Sequence, residues 1–186
     1  LLCNLPQVIM LTQLKFILLD NGVSGSGAAI MFSALSIGML TGRFLTGAAL
    51  DRFNPYLVSF VTLGLPSIGL FLIASSFDST TMLLCAVFSL GFAFGAEGDI
   101  IAYIVARQFD LNIYGSVMGL LTASISIATT LGTLLLSYIL LRTGGFDLFL
   151  IIVGCTVLLG SALLLLLRRY EMVRISDTVD GEGVLA

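Results

Sequence analysis

Apolar stretches of about 18 residues or more follow one another along almost the whole chain, and that is the length a helix needs to cross a bilayer. The breaks between them are short and polar: Asp20-Asn21-Gly22-Val23-Ser24, Asp51-Arg52-Phe53-Asn54-Pro55, Ser75-Ser76-Phe77-Asp78-Ser79-Thr80, Arg107-Gln108-Phe109-Asp110-Leu111-Asn112 and Arg142-Thr143-Gly144-Gly145. Only 10% of the 186 residues are charged and 58% are hydrophobic, against about 25% charged in a soluble domain. So few charges do not cover a water-exposed surface, and lipid must be the solvent. The pattern predicts an all-α polytopic membrane protein, a bundle of six transmembrane helices over residues 1–19, 24–50, 56–76, 81–106, 113–141 and 146–167. A polar, acidic tail over 168–186 is expected to be disordered. Connections this short make successive helices antiparallel neighbours and put the two ends of the chain on one side. Leu1 stands inside an apolar run, so the chain is expected to begin partway into a helix of a longer protein.

The charge pattern excludes several classes of function. Net charge is −3, and no basic stripe interleaved with aromatics marks a nucleic-acid surface. Histidine is absent, and Cys3, Cys85 and Cys155 lie far apart in apolar segments. They lack metal-ligand spacing and read as small buried hydrophobes. With no nucleophile elbow either, neither an enzyme nor a cofactor is expected. Arg52, Arg107, Arg168, Arg169 and Arg174 fall on one side of the alternation and Lys15 and Arg142 on the other. An excess of Arg and Lys marks the cytoplasmic side, so the C-terminus is expected inside, in the plasma (inner) membrane.

Helices in lipid associate through small residues that let backbones approach. Ala34, Gly38 and Gly42 recur every four residues in the second segment; Gly91 and Gly95 do so in the fourth; Gly115, Gly119, Ser124, Ala128 and Gly132 follow in the fifth. These three segments are expected to pack tightly, and the sixth, with Leu163 to Leu167 unbroken, to face lipid. Pro6 and Pro66 interrupt the first and third segments, and Ser24 is a plausible N-cap for the second.

Charges at membrane depth carry the functional signal, because each costs about 2.5–3.5 kcal/mol on insertion scales unless it meets water or a partner. Arg43 lies eight residues before Asp51, and Glu97 and Asp99 lie ten and eight before Arg107. Their depths match, which puts Arg43 within reach of one of the two carboxylates. Arg43 suits a substrate carboxylate, its planar fork matching that anion, with Glu97 or Asp99 carrying the coupling proton. The same group also fits a structural ion pair that stabilises one conformation. Gln7, Thr12 and Gln13 are polar positions on the kinked first segment, placed either to line a path or to bond neighbouring helices. Lys15, near the outer end of that segment, is expected to snorkel.

The run Gly42-Arg43-Phe44-Leu45-Thr46-Gly47-Ala48-Ala49-Leu50-Asp51-Arg52-Phe53 resembles the loop between helices eight and nine of the major facilitator superfamily, with Gly47, Asp51 and Arg52 matching its G-x-x-x-D-R element. The resemblance implies the second half of a twelve-helix fold built from inverted three-helix repeats. A missing N-terminal six-helix half would supply the other wall of the solute path. Within the superfamily the chain resembles the monocarboxylate and oxalate/formate transporters, whose helix-eight arginine corresponds to Arg43. That implies alternating-access transport of a small anionic solute, driven by a proton or a counter-anion. Arg43, Gln7 and Gln13 are then substrate contacts, Glu97 and Asp99 the coupling or ion-pair carboxylates, and Gly47, Asp51 and Arg52 a cytoplasmic gate, with Asp51 near a helix N-terminus. Met39 stands where monocarboxylate carriers have an aspartate one turn before the arginine, and the fifth segment has no charge between Ile113 and Leu141.

Overall fold

The structure is a computed structural model that describes residues 5, 13–20, 22–74, 79–109 and 112–182. It contains six helices: α1 (Leu14–Asp20), α2 (Gly25–Arg52), α3 (Pro55–Ala74), α4 (Thr80–Gln108), α5 (Tyr114–Thr143) and α6 (Asp147–Glu182). No strand occurs among the described residues. Five of the helices, α2 to α6, are long and apolar enough to cross a membrane. The first expected span, 1–19, lies mostly outside the described residues, which hold only its last turns as α1.

Helix ends follow local chemistry. Ser24 caps α2, its hydroxyl accepting the N–H of Gly27 at 3.2 Å. Asn54 serves α3 in the same way, its Oδ1 accepting the N–H of Tyr56 at 3.1 Å. Pro55 opens that helix, where its missing N–H costs nothing. Gly144 ends α5 with φ of 72°, a left-handed conformation glycine adopts without Cβ strain. The membrane-length part of the sixth helix ends at Leu166, and the backbone stays helical beyond it to Glu182. The sequence past Leu167 holds good helix formers and no proline, so nothing stops propagation from the apolar span.

Packing departs from the expected order of neighbours. The most extensive contact joins α2 to α4; α3 packs against both α6 and α4, and α2 touches α3 only lightly. Backbone proximity explains the first pairing. A Cβ on Gly38 or Gly42 would strike the main chain of Phe88 or Phe92, and one on Gly91 or Gly95 the main chain of Leu35 or Met39. The glycines let the two helices meet along their backbones, the contact that association in lipid rewards. No such pair joins α2 to α3.

The sixth helix is not simply lipid-facing. Its outer side exposes Leu159, Leu163 and Leu166, but Phe149, Leu150, Val153, Val157 and Ser161 are fully buried. Gly154 sits under the ring of Phe71, and Gly64 of α3 faces Ser161, so small residues also seat α6 on α3. The expectation for α5 is corrected too. Gly115 and Gly119 have nothing within 4 Å of a built Cβ, and only Ala128, Gly132, Leu136 and Ile139 of this helix are buried. Its first half finds no close partner among the described residues. Cys85 and Cys155 are free thiols on exposed faces rather than buried hydrophobes, an inexpensive position because lipid accepts a small sulfur side chain as readily as a core does; Cys3 lies outside the described residues.

Candidate functional site

The glycine contacts set the register that builds the site. Leu35 meets Gly91 and, four residues along both helices, Met39 meets Gly95. One further step brings Arg43 to Asp99, with Nε 3.6 Å from Oδ2. The ion pair therefore continues the stripe that brings the backbones together. Arg43 and Asp99 each lie nine residues before the last residue of their helices, Arg52 and Gln108, about 13 Å along the axis at ~1.5 Å per residue. That is membrane depth.

Both partners remain open to the surroundings, with side chains 64% and 37% exposed. A pair this open is screened and adds at most about 1 kcal/mol to stability. Its interest is chemical. Nε is the nitrogen that meets Asp99, and the guanidinium carries further N–H donors able to receive a planar anion. Glu97, two residues earlier, is buried at 8% exposure and lies off this stripe. The helical period separates the two carboxylates: four residues return a side chain to the same face and two do not.

The other expected site residues are scattered. Gln13 is half-buried just before α1, while Gln7 and Thr12 lie outside the described residues. Lys15 is exposed on α1. Asp51 and Arg52 are the last two residues of α2 and both are exposed. Asp51 thus sits in the C-terminal turn of α2, four residues before Pro55 opens α3; the dipole of α2 favours Arg52 there. Gly47 has open space around it.

Two features lie outside the sequence-based expectations. On the exposed side of α5, Thr122, Ser126 and Thr130 follow one another at four-residue spacing, with Thr133 close behind, and each bonds the carbonyl four residues back at 2.8–3.2 Å. The four-residue spacing is the signal that could have found them. The second is a cleft between the α2–α3 loop and the end of α4, which brings together residues far apart in the chain. Among the described residues no cluster of three or more Asp, Glu, His or Cys is placed to hold a metal ion.

A sequence model of the Major Facilitator Superfamily matches residues 5–182, nearly the whole chain. The chain belongs to that superfamily. It is accordingly an integral, multi-pass membrane protein and a transporter, and its all-helical bundle with five membrane-length helices is the architecture such a protein requires. No curated protein and no solved structure gives a significant match.

Proposed function

We propose that the chain is one half of a secondary active transporter for a small organic anion such as a monocarboxylate, working by alternating access. The observation that carries this reading is the open Arg43–Asp99 pair. A solute carboxylate takes the Arg43 fork and replaces Asp99 as its partner. Asp99, freed from Arg43, is the carboxylate that carries the coupling proton. Asp99 also supplies from a neighbouring helix the carboxylate that the monocarboxylate resemblance would place at Met39. Glu97 stands in reserve as a second, buried carboxylate. Gln7 and Gln13 add polar contacts from the first helix.

A missing N-terminal half fits the outer faces of the bundle. Only 28% and 22% of the most apolar windows of α2 and α5 are buried. Their exposed sides carry Ile37, Leu40, Phe44, Leu120 and Ile127 beside the hydroxyl groups described above. Such mixed faces suit a partner wall and a polar path better than lipid alone. Arg52, Arg107, Arg168, Arg169 and Arg174 on one side, against Lys15 and Arg142 on the other, support a cytoplasmic C-terminus, and the plasma membrane is the residence this reading gives the protein. At that face Gly47, Asp51 and Arg52 form a gate that holds the path closed inside while it is open outside.

The test is uptake of labelled small carboxylates into proteoliposomes holding the full-length protein, with and without an inward proton gradient. Wild type is expected to show gradient-stimulated uptake, and Arg43→Gln to lose at least about tenfold, the worth of one charge-assisted hydrogen bond. Uptake that survives the substitution would remove Arg43 from the anion site. In the same vesicles Asp51→Asn is expected to slow uptake severalfold while equilibrium binding of the carboxylate stays at the wild-type level. If binding falls in step with uptake, the gate assignment is wrong.

A further inference from the structure

The end of the bundle that carries the α2–α3 loop holds a cleft of about 290 Å³ that the transport reading leaves unused. Its polar lining comes from Asn54 and Tyr56 on one side and Tyr103, Arg107 and Gln108 on the other, with no carboxylate among the lining residues. Gln108 donates from Nε2 to the Tyr56 hydroxyl, tying α4 to α3 across the cleft. Arg107 is held in place by Tyr103, whose ring centroid lies 5.5 Å from the guanidinium carbon and whose hydroxyl accepts from Nη1 at 3.3 Å. This leaves the other guanidinium N–H groups available. Asn54 uses its Oδ1 on the Tyr56 N–H, which leaves its NH₂ as a donor. One fixed cation and several donors, with no acid among the lining residues, make a receptor for an anion with several oxygens.

We propose that this cleft binds the phosphate of an anionic phospholipid headgroup. Location argues for a lipid rather than a dissolved phosphate. The cleft lies at the terminal turns of membrane-length helices, the depth at which headgroups sit. Phe53 and Phe109, next in sequence to lining residues, are 63% and 41% exposed, and Leu57 is 43% exposed. Apolar groups beside the cleft give the acyl chains a surface that inorganic phosphate would not use.

The experiment is native mass spectrometry of the full-length protein in detergent, titrated with phosphatidylglycerol or phosphatidylcholine, with inorganic phosphate as competitor. Phosphatidylglycerol is expected to form a one-to-one adduct, preferred over phosphatidylcholine, and Arg107→Gln to weaken it about tenfold. Arg142→Gln serves as a control, because Arg142 also lies over a tyrosine, Tyr138, with 5.6 Å to the centroid, but at the opposite end of α5 from this cleft. It should leave the adduct intact. Equal binding of the two lipids, or an adduct indifferent to Arg107→Gln, overturns the proposal. Displacement of the lipid by millimolar inorganic phosphate overturns the lipid as source and leaves a soluble-phosphate site. Should Arg107→Gln not purify as a monodisperse protein, Tyr103→Phe decides: it keeps the ring and loses the hydroxyl, and an unweakened adduct in that variant also overturns the proposal.

Discussion

Gly42→Ala and Gly95→Ala are expected to destabilise the protein by about 1–3 kcal/mol each, the range for forcing a methyl group into a filled interface. The alanine Cβ at residue 42 would lie 2.9 Å from the Cα of Phe92, and at residue 95, 2.8 Å from the Cα of Met39, each nearer still to the carbonyl oxygen. Relaxed carbon–carbon contacts are about 3.5–4.0 Å. The obstacle is main chain, so no side-chain rotation relieves it and the helices have to separate. Separation forfeits the dispersion contacts that hold helices together in lipid. Gly47→Ala and Gly98→Ala are the controls, since a methyl group at either meets nothing within 4 Å. Those two are expected to be neutral or slightly stabilising, because alanine is the better helix former by about 1 kcal/mol. Thermal unfolding in detergent distinguishes the two pairs. Equal midpoints for Gly42→Ala and Gly47→Ala would mean that the α2–α4 backbones are not in contact.

The second large effect is expected in transport rather than stability. Arg43→Gln and Asp99→Asn should each cut gradient-driven uptake by about tenfold or more, while their unfolding midpoints barely move, because an open ion pair contributes at most about 1 kcal/mol. The double variant should transport no worse than the poorer single one, since residues that act as a unit show strongly non-additive losses. Asp99→Asn is further expected to retain exchange of labelled for unlabelled solute across the vesicle membrane while losing its response to the proton gradient. Arg43→Gln should lose both. Losses that multiply in the double variant would show two residues acting independently, and exchange lost in Asp99→Asn would move that residue from coupling to binding.

Much of this arrangement is legible in the order of the residues alone. The glycine spacing in α2 and α4 marks the closest contact because only a residue without a side chain permits it, and the Ser24 cap is plain from its place before an apolar run. The depth of Arg43 and its need for a carboxylate follow from the cost of a bare charge in lipid. Extending the Gly91, Gly95 stripe one more turn favours Asp99 over Glu97. Other parts are closed to such reasoning. A span hydrophobic all round gives no direction for its buried face, so the seating of α6 on α3 through Gly64 and Gly154 has no signal in hydropathy. The small residues of α5 resemble those of α2, but small size permits close contact without supplying a partner. The headgroup cleft joins residues 54–56 to 103–108, a meeting that no local pattern announces.

The pairing of α2 with α4 across an intervening span has a consequence for biosynthesis. Arg43 leaves the ribosome well before Asp99, with all of α3 made between them. At about 5–20 residues per second, the counter-charge follows several seconds later. During that interval α2 holds a guanidinium with no fixed partner and a strip of bare backbone at Gly38 and Gly42 with nothing docked on it. The nascent helix can shelter the charge by reaching toward the near interface, but its glycine strip can be covered only by another helix. Whatever escorts the growing chain must therefore keep α2 from the wrong neighbour until α4 arrives, and residues 35–43 are the part of the nascent protein most in need of that protection.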